Sequence, residues 1–152
     1  MSANAFNKIA IASDHAGFQL KNEVADYLRK KNLDVIDLGT NTSDSVDYPD
    51  YAADVSKHIL EGKASLGILI CGTGVGMCIA ANKFAGIRAA VVSESFSAQR
   101  SREHNDANVL CFGSRVIDLP KAKSIVDAWL GASFQGGRHE NRLEKIKKIE
   151  NP

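Results

Sequence analysis

The stretch Leu69–Gly76 reads LICGTGVG: an apolar run ends on Cys71, and Gly72, Gly74 and Gly76 follow at alternate positions. Glycines let a backbone approach a ligand closely and turn its amides into one concavity. The loop leads into a helical stretch, and a helix N-terminus favours anions. A phosphate or a developing oxyanion suits such a loop. The GK[ST] ending of a P-loop is missing. The dinucleotide fingerprint is missing too, because Met77 and Cys78 follow Gly76. A tight strand-to-helix turn that binds nothing is the alternative, although three glycines exceed what a turn requires. Cys71 has two readings. It is either a buried, apolar-like cysteine finishing a strand, or a thiol whose thiolate is favoured by the helix N-terminus and acts as nucleophile or base.

Other polar residues gather near strand-like segments. Asp14 and His15 follow KIAIAS; they are either a helix cap with an exposed neighbour, or a carboxylate orienting hydroxyls beside an imidazole facing phosphate. Ser93 and Glu94 follow RAAVV, and Gly113, Ser114 and Arg115 follow VLCF. His104, Asn105 and Asp106 end a helical stretch just before VLCF, where a histidine is also favourable for the helix dipole. They are grouped here with the strand ends, where ligands bind in sheets of this kind. Arg138 and Arg142 are four apart, so on a helix they share a face that suits a phosphate or is simply solvated. His58 reads as surface, and Cys78 and Cys111 read as core.

The elements that must position these groups are short apolar strands alternating with helices. Strands are expected at 8–13, 33–38, 66–70, 88–92 and 109–112. Helices are expected at 17–31 with Asn32 as C-cap, from Pro49 to Leu60, at 77–84, from a Ser93 or Ser95 cap to His104, at 120–130 and at 140–149. This alternation implies an α/β fold with a mostly parallel five-stranded sheet covered on both faces. No repeat or low-complexity linker divides the 152 residues, so one domain is expected. The segment 132–152 reads as a C-terminal extension whose Leu143, Ile146 and Ile149 pack on something, a partner subunit being a fair candidate. The net charge of +1 provides no broad field for nucleic acid or an anionic membrane. No apolar run reaches the roughly 20 residues of a bilayer span, and MSANAFNKIAIAS lacks signal-peptide character. Three widely spaced cysteines point to reduced thiols in a cytoplasmic setting, and no zinc-type spacing occurs.

The stretches SDHAGFQLK, DYPDYA, ILICGTGVGMCIAANKFAGIRAA, SREHNDANVLCFGSR and GGRHENR, in this order and across nearly the whole chain, resemble the type B ribose-5-phosphate isomerases. The wider family also holds allose-6-phosphate and galactose-6-phosphate isomerases. The resemblance implies a three-layer α/β/α sandwich with a Rossmann-like sheet. It also implies a homodimer, sometimes a tetramer, with the active site at the subunit interface and no metal or organic cofactor. It implies that Cys71 is the base that converts D-ribose 5-phosphate to D-ribulose 5-phosphate through an enediolate, and that His104 opens the sugar ring. Asp14, His15 and Tyr48 would line the pocket. Gly72, Thr73, Gly74, Val75 and Gly76 would cradle the reacting oxygens. Asn105, Arg115, Arg138 and Arg142 would complete the site, the arginines gripping phosphate and His139 lying between two of them. A subgroup uses a glutamate as base at the place of Met77, which cannot accept a proton, so this chain resembles the cysteine kind. Two other readings stand beside this one: a non-catalytic module for phosphorylated ligands, and a redox protein using Cys71, with Cys78 poorly placed as a resolving thiol two helical turns away.

Overall fold

A computed structural model describes residues 8–152 of the chain. Residues 1–7, which carry most of the segment read above as lacking signal-peptide character, lie outside the described residues. In chain order the elements are β1 (Lys8–Ser13), α1 (Phe18–Lys30), β2 (Asp34–Asp37), α2 (Tyr48–Leu60), β3 (Leu66–Cys71), α3 (Val75–Ala81), β4 (Ala89–Val91), α4 (Ser95–Asn105), β5 (Val109–Gly113), α5 (Leu119–Leu130) and α6 (Arg138–Glu150). The strands lie in the order β2-β1-β3-β5-β4, and every pairing is parallel.

Successive strand residues face opposite sides, and both sides here are apolar. Ile9, Ile11, Ile68, Ile70, Leu110 and Phe112 face α1, α4 and α5, where Val24, Leu28, Ile125 and Trp129 are fully buried. Ala10, Ala12, Leu69, Cys71, Val109 and Cys111 face α2 and α3, against Ala52, Val55, Met77 and Ala81. Each large side chain so buried contributes about 1.5–3 kcal/mol, so the two half-cores support a three-layer α/β/α sandwich. The helices nearest the small residues of the second face can approach the sheet closely. No described helix is long and apolar enough to cross a membrane.

Several boundaries differ from expectation for local reasons. Helix α3 starts at Val75, two residues early, because Gly74 in the left-handed region (φ 84°) turns the chain directly into it. It stops at Ala81, where the Asn82 amide pairs with Ala89, accepting from its N–H (2.8 Å) and donating to its carbonyl (2.9 Å). Glu94, and neither serine, caps α4, its carboxylate accepting from Ser97 N–H at 2.9 Å. Lys31 caps α1, and Asn32 follows it in the left-handed region at φ 63°. Helix α6 begins at Arg138 and packs in part on its own chain: His139 is buried and Gly86 N–H donates to Glu150 Oε2 at 3.2 Å. Ile146 and Ile149 stay exposed.

One buried charge secures the edge of the sheet. Lys21 lies four residues before Ala25 and seven before Leu28, on the apolar face of α1, and is fully buried. Its ammonium donates to both Asp37 oxygens (2.8 and 2.9 Å) and to the Thr40 carbonyl (2.9 Å). Removing one partner of a buried ion pair typically costs about 3–5 kcal/mol. Lys21→Ala is therefore expected to lower the unfolding free energy in urea by about 3 kcal/mol; a loss below about 1 kcal/mol, the value of an exposed pair, would contradict this role.

Candidate active site

Polar groups at the carboxyl edge of the sheet converge between β1 and β3, where the strand order reverses direction. That switch point is the usual ligand crevice of an open parallel sheet. β1 ends into Asp14 and β3 ends on Cys71. Asp14 N–H donates to the Ile70 carbonyl at 3.3 Å, so the two ends are stitched together. The loops beyond β3 and β5 are joined likewise: Ser114 N–H donates to the Cys71 carbonyl (2.9 Å) and Arg115 N–H to the Gly72 carbonyl (3.0 Å). Gly113 permits this closeness, since a Cβ there would lie 2.5 Å from the Thr73 backbone.

Cys71 is nearly buried, and Gly74 N–H donates to its sulfur at 3.2 Å. An amide donor fixes the position of Sγ at the opening of the loop. Thr73 is exposed, and its Oγ1 accepts from Val75 N–H at 3.3 Å. A hydroxyl that accepts from an amide keeps its own proton to donate elsewhere. Asp14 is buried, with Oδ1 accepting from Gly17 N–H at 3.1 Å. That contact closes the turn before α1 and leaves Oδ2 without a hydrogen bond among the described residues. His15 Nδ1 accepts from Val46 N–H at 3.1 Å. A backbone amide can only donate, so the ring proton of neutral His15 sits on Nε2. Tyr48, half exposed at the start of α2, covers Gly76: a Cβ there would meet its ring at 2.6 Å. The guanidinium of Arg115 lies beside Gly72, 3.3 Å from a Cβ built there. Asp14, His15, Tyr48, Gly72, Thr73, Gly74, Val75, Gly76 and Arg115 thus surround Cys71.

The remaining residues are elsewhere, and this corrects the sequence-based grouping of His104, Asn105 and Asp106 with the strand ends. Helix α4 runs back against the strands and ends at their amino edge. Ala107 N–H donates to Ser101 O, and Asn108 N–H to Arg88 O, just below Val109. Val109 pairs with Gly67, and Gly113 with Cys71. Four residues at about 3.3 Å each put roughly 13 Å between those levels, with His104 further below. Asp106 is held structurally by Arg102 (3.0 Å) and Arg88 (3.4 Å).

At this lower edge His104 stacks on His139, ring centroids 4.2 Å apart and planes 13° apart. Arg138 and Arg142 flank His139 on α6, both exposed and without an ion pair among the described residues. Burial, followed by the charges of His104, Arg138 and Arg142, holds the His139 pKa below its ordinary value. The outcome is an electropositive surface carrying imidazole and guanidinium donors, suited to an anion. One chain therefore presents two clusters of polar groups at opposite edges of its sheet. His58 lies near the surface of α2, with Nδ1 3.1 Å from Asp54 O. Cys78 is only half-buried, not a core residue as expected, while Cys111 is fully buried.

The signals for the contacts that sequence reading missed are uneven. Lys21 on an apolar helical stripe is legible in hindsight. The Val46 amide on His15 has no sequence signal, because a backbone donor carries none.

Residues 9–146 match the family model described as Ribose/Galactose Isomerase. The chain belongs to the ribose/galactose isomerase family. It is 59% identical to ribose-5-phosphate isomerase B of Escherichia coli (strain K12) over 143 residues, covering 94% of this chain and 96% of that protein. The structure of Clostridium thermocellum ribose-5-phosphate isomerase B superposes with a TM-score of 0.94 at 55% identity, covering 95% of this chain and 97% of that one. Ribose-5-phosphate isomerase B of Mycoplasma genitalium with bound ribulose-5-phosphate gives a TM-score of 0.91 at 46% identity, covering 95% and 96%.

The depressed pKa of His139 has a stability consequence. The unfolded chain then binds a proton that the folded chain resists, so stability falls as pH drops below about 6.5. Unfolding midpoints in urea between pH 7 and 5.5 should decline more steeply for the native chain than for His139→Phe, which keeps the stack and removes the titration. Equal slopes would count against it.

Proposed function

We propose that this chain interconverts D-ribose 5-phosphate and D-ribulose 5-phosphate, with Cys71 as the base. The observation that carries this reading is the placement of the Cys71 sulfur at the mouth of an amide-lined loop beside the Thr73 hydroxyl, in a chain of this family. In the reaction the Cys71 thiolate removes the proton from C2 of the open-chain aldose, and negative charge develops on the C1 oxygen. Loop amides and the Thr73 hydroxyl are arranged to stabilise that charge where it forms. The proton on O2 passes to O1, the thiol returns its proton to C1, and the ketose results. The free oxygen of Asp14 accepts from a sugar hydroxyl. His15 donates from Nε2, and Tyr48 closes the side of the pocket. His104, whose imidazole offers one nitrogen as donor and the other as acceptor, moves the proton between ring oxygen and anomeric hydroxyl during ring opening. Arg138 and Arg142 grip phosphate, supported by Arg115 and Asn105. Phosphate binding, remote from the reacting carbons, fixes their geometry.

The two half-sites of one chain cannot meet, so the complete site requires a second copy. In a two-fold dimer, Cys71 and its loop from one subunit face His104, Arg138 and Arg142 from the other. Each interface operation then generates two sites. This reading places the enzyme in a reducing cytoplasm, where a catalytic thiol persists.

A second reading concerns substrate length. The family description includes galactose, and a protein from Pectobacterium atrosepticum 48% identical to this chain is called D-erythrulose-4-phosphate isomerase. A side-by-side assay of ribose 5-phosphate, allose 6-phosphate, galactose 6-phosphate and erythrulose 4-phosphate decides it. The highest kcat/KM is expected for ribose 5-phosphate, and a preference for another sugar would displace that assignment.

Two variants test the shared site. Cys71→Ala should abolish exchange of the C2 hydrogen with solvent while ribose 5-phosphate still binds; near-normal exchange sinks the base assignment. Cys71→Ala and His104→Asn, each impaired alone on cyclic substrate, should regain about a quarter of native activity when co-refolded in equal amounts. Half of the dimers are then mixed, and each has one intact site. No recovery would place both residues in a single-chain site.

A further inference from the structure

The chain leaves α4 through Asp106, which stands in the left-handed region at φ 46° and ψ 44°. Among the described residues, Asn32 is the only other non-glycine with a positive φ. Left-handed backbone is unfavourable for a residue with a Cβ, and such strain persists where surrounding contacts hold it. The contacts here come from two arginines on different parts of the chain. Arg102, one turn back on α4, donates from Nη1 to Asp106 Oδ1 (3.0 Å) and to the Ala107 carbonyl (2.7 Å). Arg88, just before β4, donates from Nε to the Asp106 carbonyl (2.9 Å) and from Nη2 to Asp106 Oδ2 (3.4 Å). Each carboxylate oxygen thus receives its own guanidinium, in partly buried, charge-assisted hydrogen bonds. Arg88 is itself fixed by Asn108: its N–H donates to Asn108 Oδ1 (2.8 Å), and its carbonyl accepts from Asn108 N–H (3.0 Å). The end of α4 is therefore pinned to the head of β4. His104 lies two residues before Asp106, in the turn that this clamp closes; Asp106 N–H donates to the Arg102 carbonyl at 3.2 Å. The His104 ring stacks on His139 and makes no hydrogen bond among the described residues. Its place is set by that stack and by the turn of helix that carries it.

We propose that Asp106 is a positioning residue for His104: its carboxylate, held between Arg88 and Arg102, fixes the last turn of α4 and so aims the His104 imidazole for ring opening. Asp106 acts through His104 and not on the sugar, since both of its oxygens are taken by guanidinium groups. Helix ends without such ties fray, and an acid–base group must stand within hydrogen-bond reach of the proton it moves. The kinetic consequence rests on the proposed isomerase reading; the placement of His104 does not. Ring opening precedes removal of the C2 proton. A displaced His104 therefore slows a reaction that starts from the cyclic aldose more than one that starts from the open-chain ketose. D-ribulose 5-phosphate is such a ketose, because its O5 carries the phosphate and cannot close on the carbonyl. Both sugars present the same phosphate, so any change in phosphate grip affects the two alike.

The test compares the native chain with Asp106→Gly and Asp106→Asn. Glycine takes left-handed backbone without strain, so Asp106→Gly removes the clamp and keeps the turn. Asparagine tolerates that backbone and keeps one oxygen as acceptor. In Asp106→Gly, kcat for ribose 5-phosphate should fall about tenfold, part of the roughly hundredfold that a positioned acid–base group supplies. Deuterium uptake at C1 of ribulose 5-phosphate in heavy water should change little. Asp106→Asn should lie between the native chain and the glycine variant. Without substrate, the C2 proton resonances of His104 and His139, displaced in the native chain by the facing ring, should move toward free imidazole in Asp106→Gly. Equal losses in the two assays would reduce Asp106 to a structural role and overturn the proposal. A native rate with ribose 5-phosphate, or unmoved histidine resonances, in Asp106→Gly would overturn it too. A native chain inactive on both sugars would instead defeat the isomerase reading, and the histidine resonances would still decide whether Asp106 places His104.

Discussion

The parallel ladder between β3 and β5 governs where every reactive group of this chain can stand. Cys71 is level with Gly113 in that ladder. The pairing continues past both strands, through Ser114 N–H to the Cys71 carbonyl and Arg115 N–H to the Gly72 carbonyl. The loop after Cys71 is therefore a backbone extension of the sheet, held by main-chain hydrogen bonds from Ser114 and Arg115. Side chains at positions 113 and 74 would collide with main chain, not with flexible side-chain tips. Rigidity of this kind is what a charge-stabilising loop requires, since its donors must already be aimed when charge develops.

The same ladder separates the groups that it does not carry. A helix joining two parallel strands must return to the opposite edge, so the end of α4 arrives at the amino side with His104. There His104, Arg138 and Arg142 form a surface with positive charge and no carboxylate opposing either arginine among the described residues. Asp106, the near acid, is occupied by Arg88 and Arg102. His139 stacks on His104, and burial together with the charges of His104, Arg138 and Arg142 disfavours its cationic form. A phosphate dianion would relieve the repulsion that such a surface carries, while the upper edge offers a thiol, a hydroxyl and amides, with the Arg115 guanidinium beside Gly72. The two edges are chemically complementary, which is the physical support for uniting them across two subunits.

Sequence conveyed the architecture well because its determinants are local and periodic. Six-residue apolar runs such as KIAIAS, separated by helical stripes, leave few arrangements other than a covered parallel sheet. The residues around Cys71 were legible because they follow directly on strand ends. His104 was misplaced because it was grouped by proximity in sequence to β5 instead of by chain direction: a residue preceding a strand belongs at the edge where that strand begins. Cys78 packs against the core but stays half-buried, because helical burial depends on which neighbour covers a face and α3 is only about two turns long. Glu94 displaced two serines as a cap because its longer carboxylate reaches Ser97 N–H from an extended backbone. None of these outcomes is encoded in residue type alone.

The buried Lys21 shows how the far side of the pocket acquires its shape. An apolar residue on that stripe of α1 would pack as well, yet the Thr40 carbonyl would then lack its interior donor. Asp37 could not serve, since a carboxylate only accepts, and it is already accepting from Gly39 N–H at 2.9 Å. The ammonium alone can satisfy both oxygens of Asp37 and the carbonyl together, three donors for three acceptors. Ser13 and Gly39–Thr40 then exchange backbone hydrogen bonds at the end of β1. The chain leaving that knot passes Val46, whose amide orients His15, and reaches Tyr48 over Gly76. A buried ion pair seldom adds much stability over an apolar replacement. Its value here is geometric, because it fixes the origin of the loop that sets one imidazole tautomer and one aromatic wall beside Cys71.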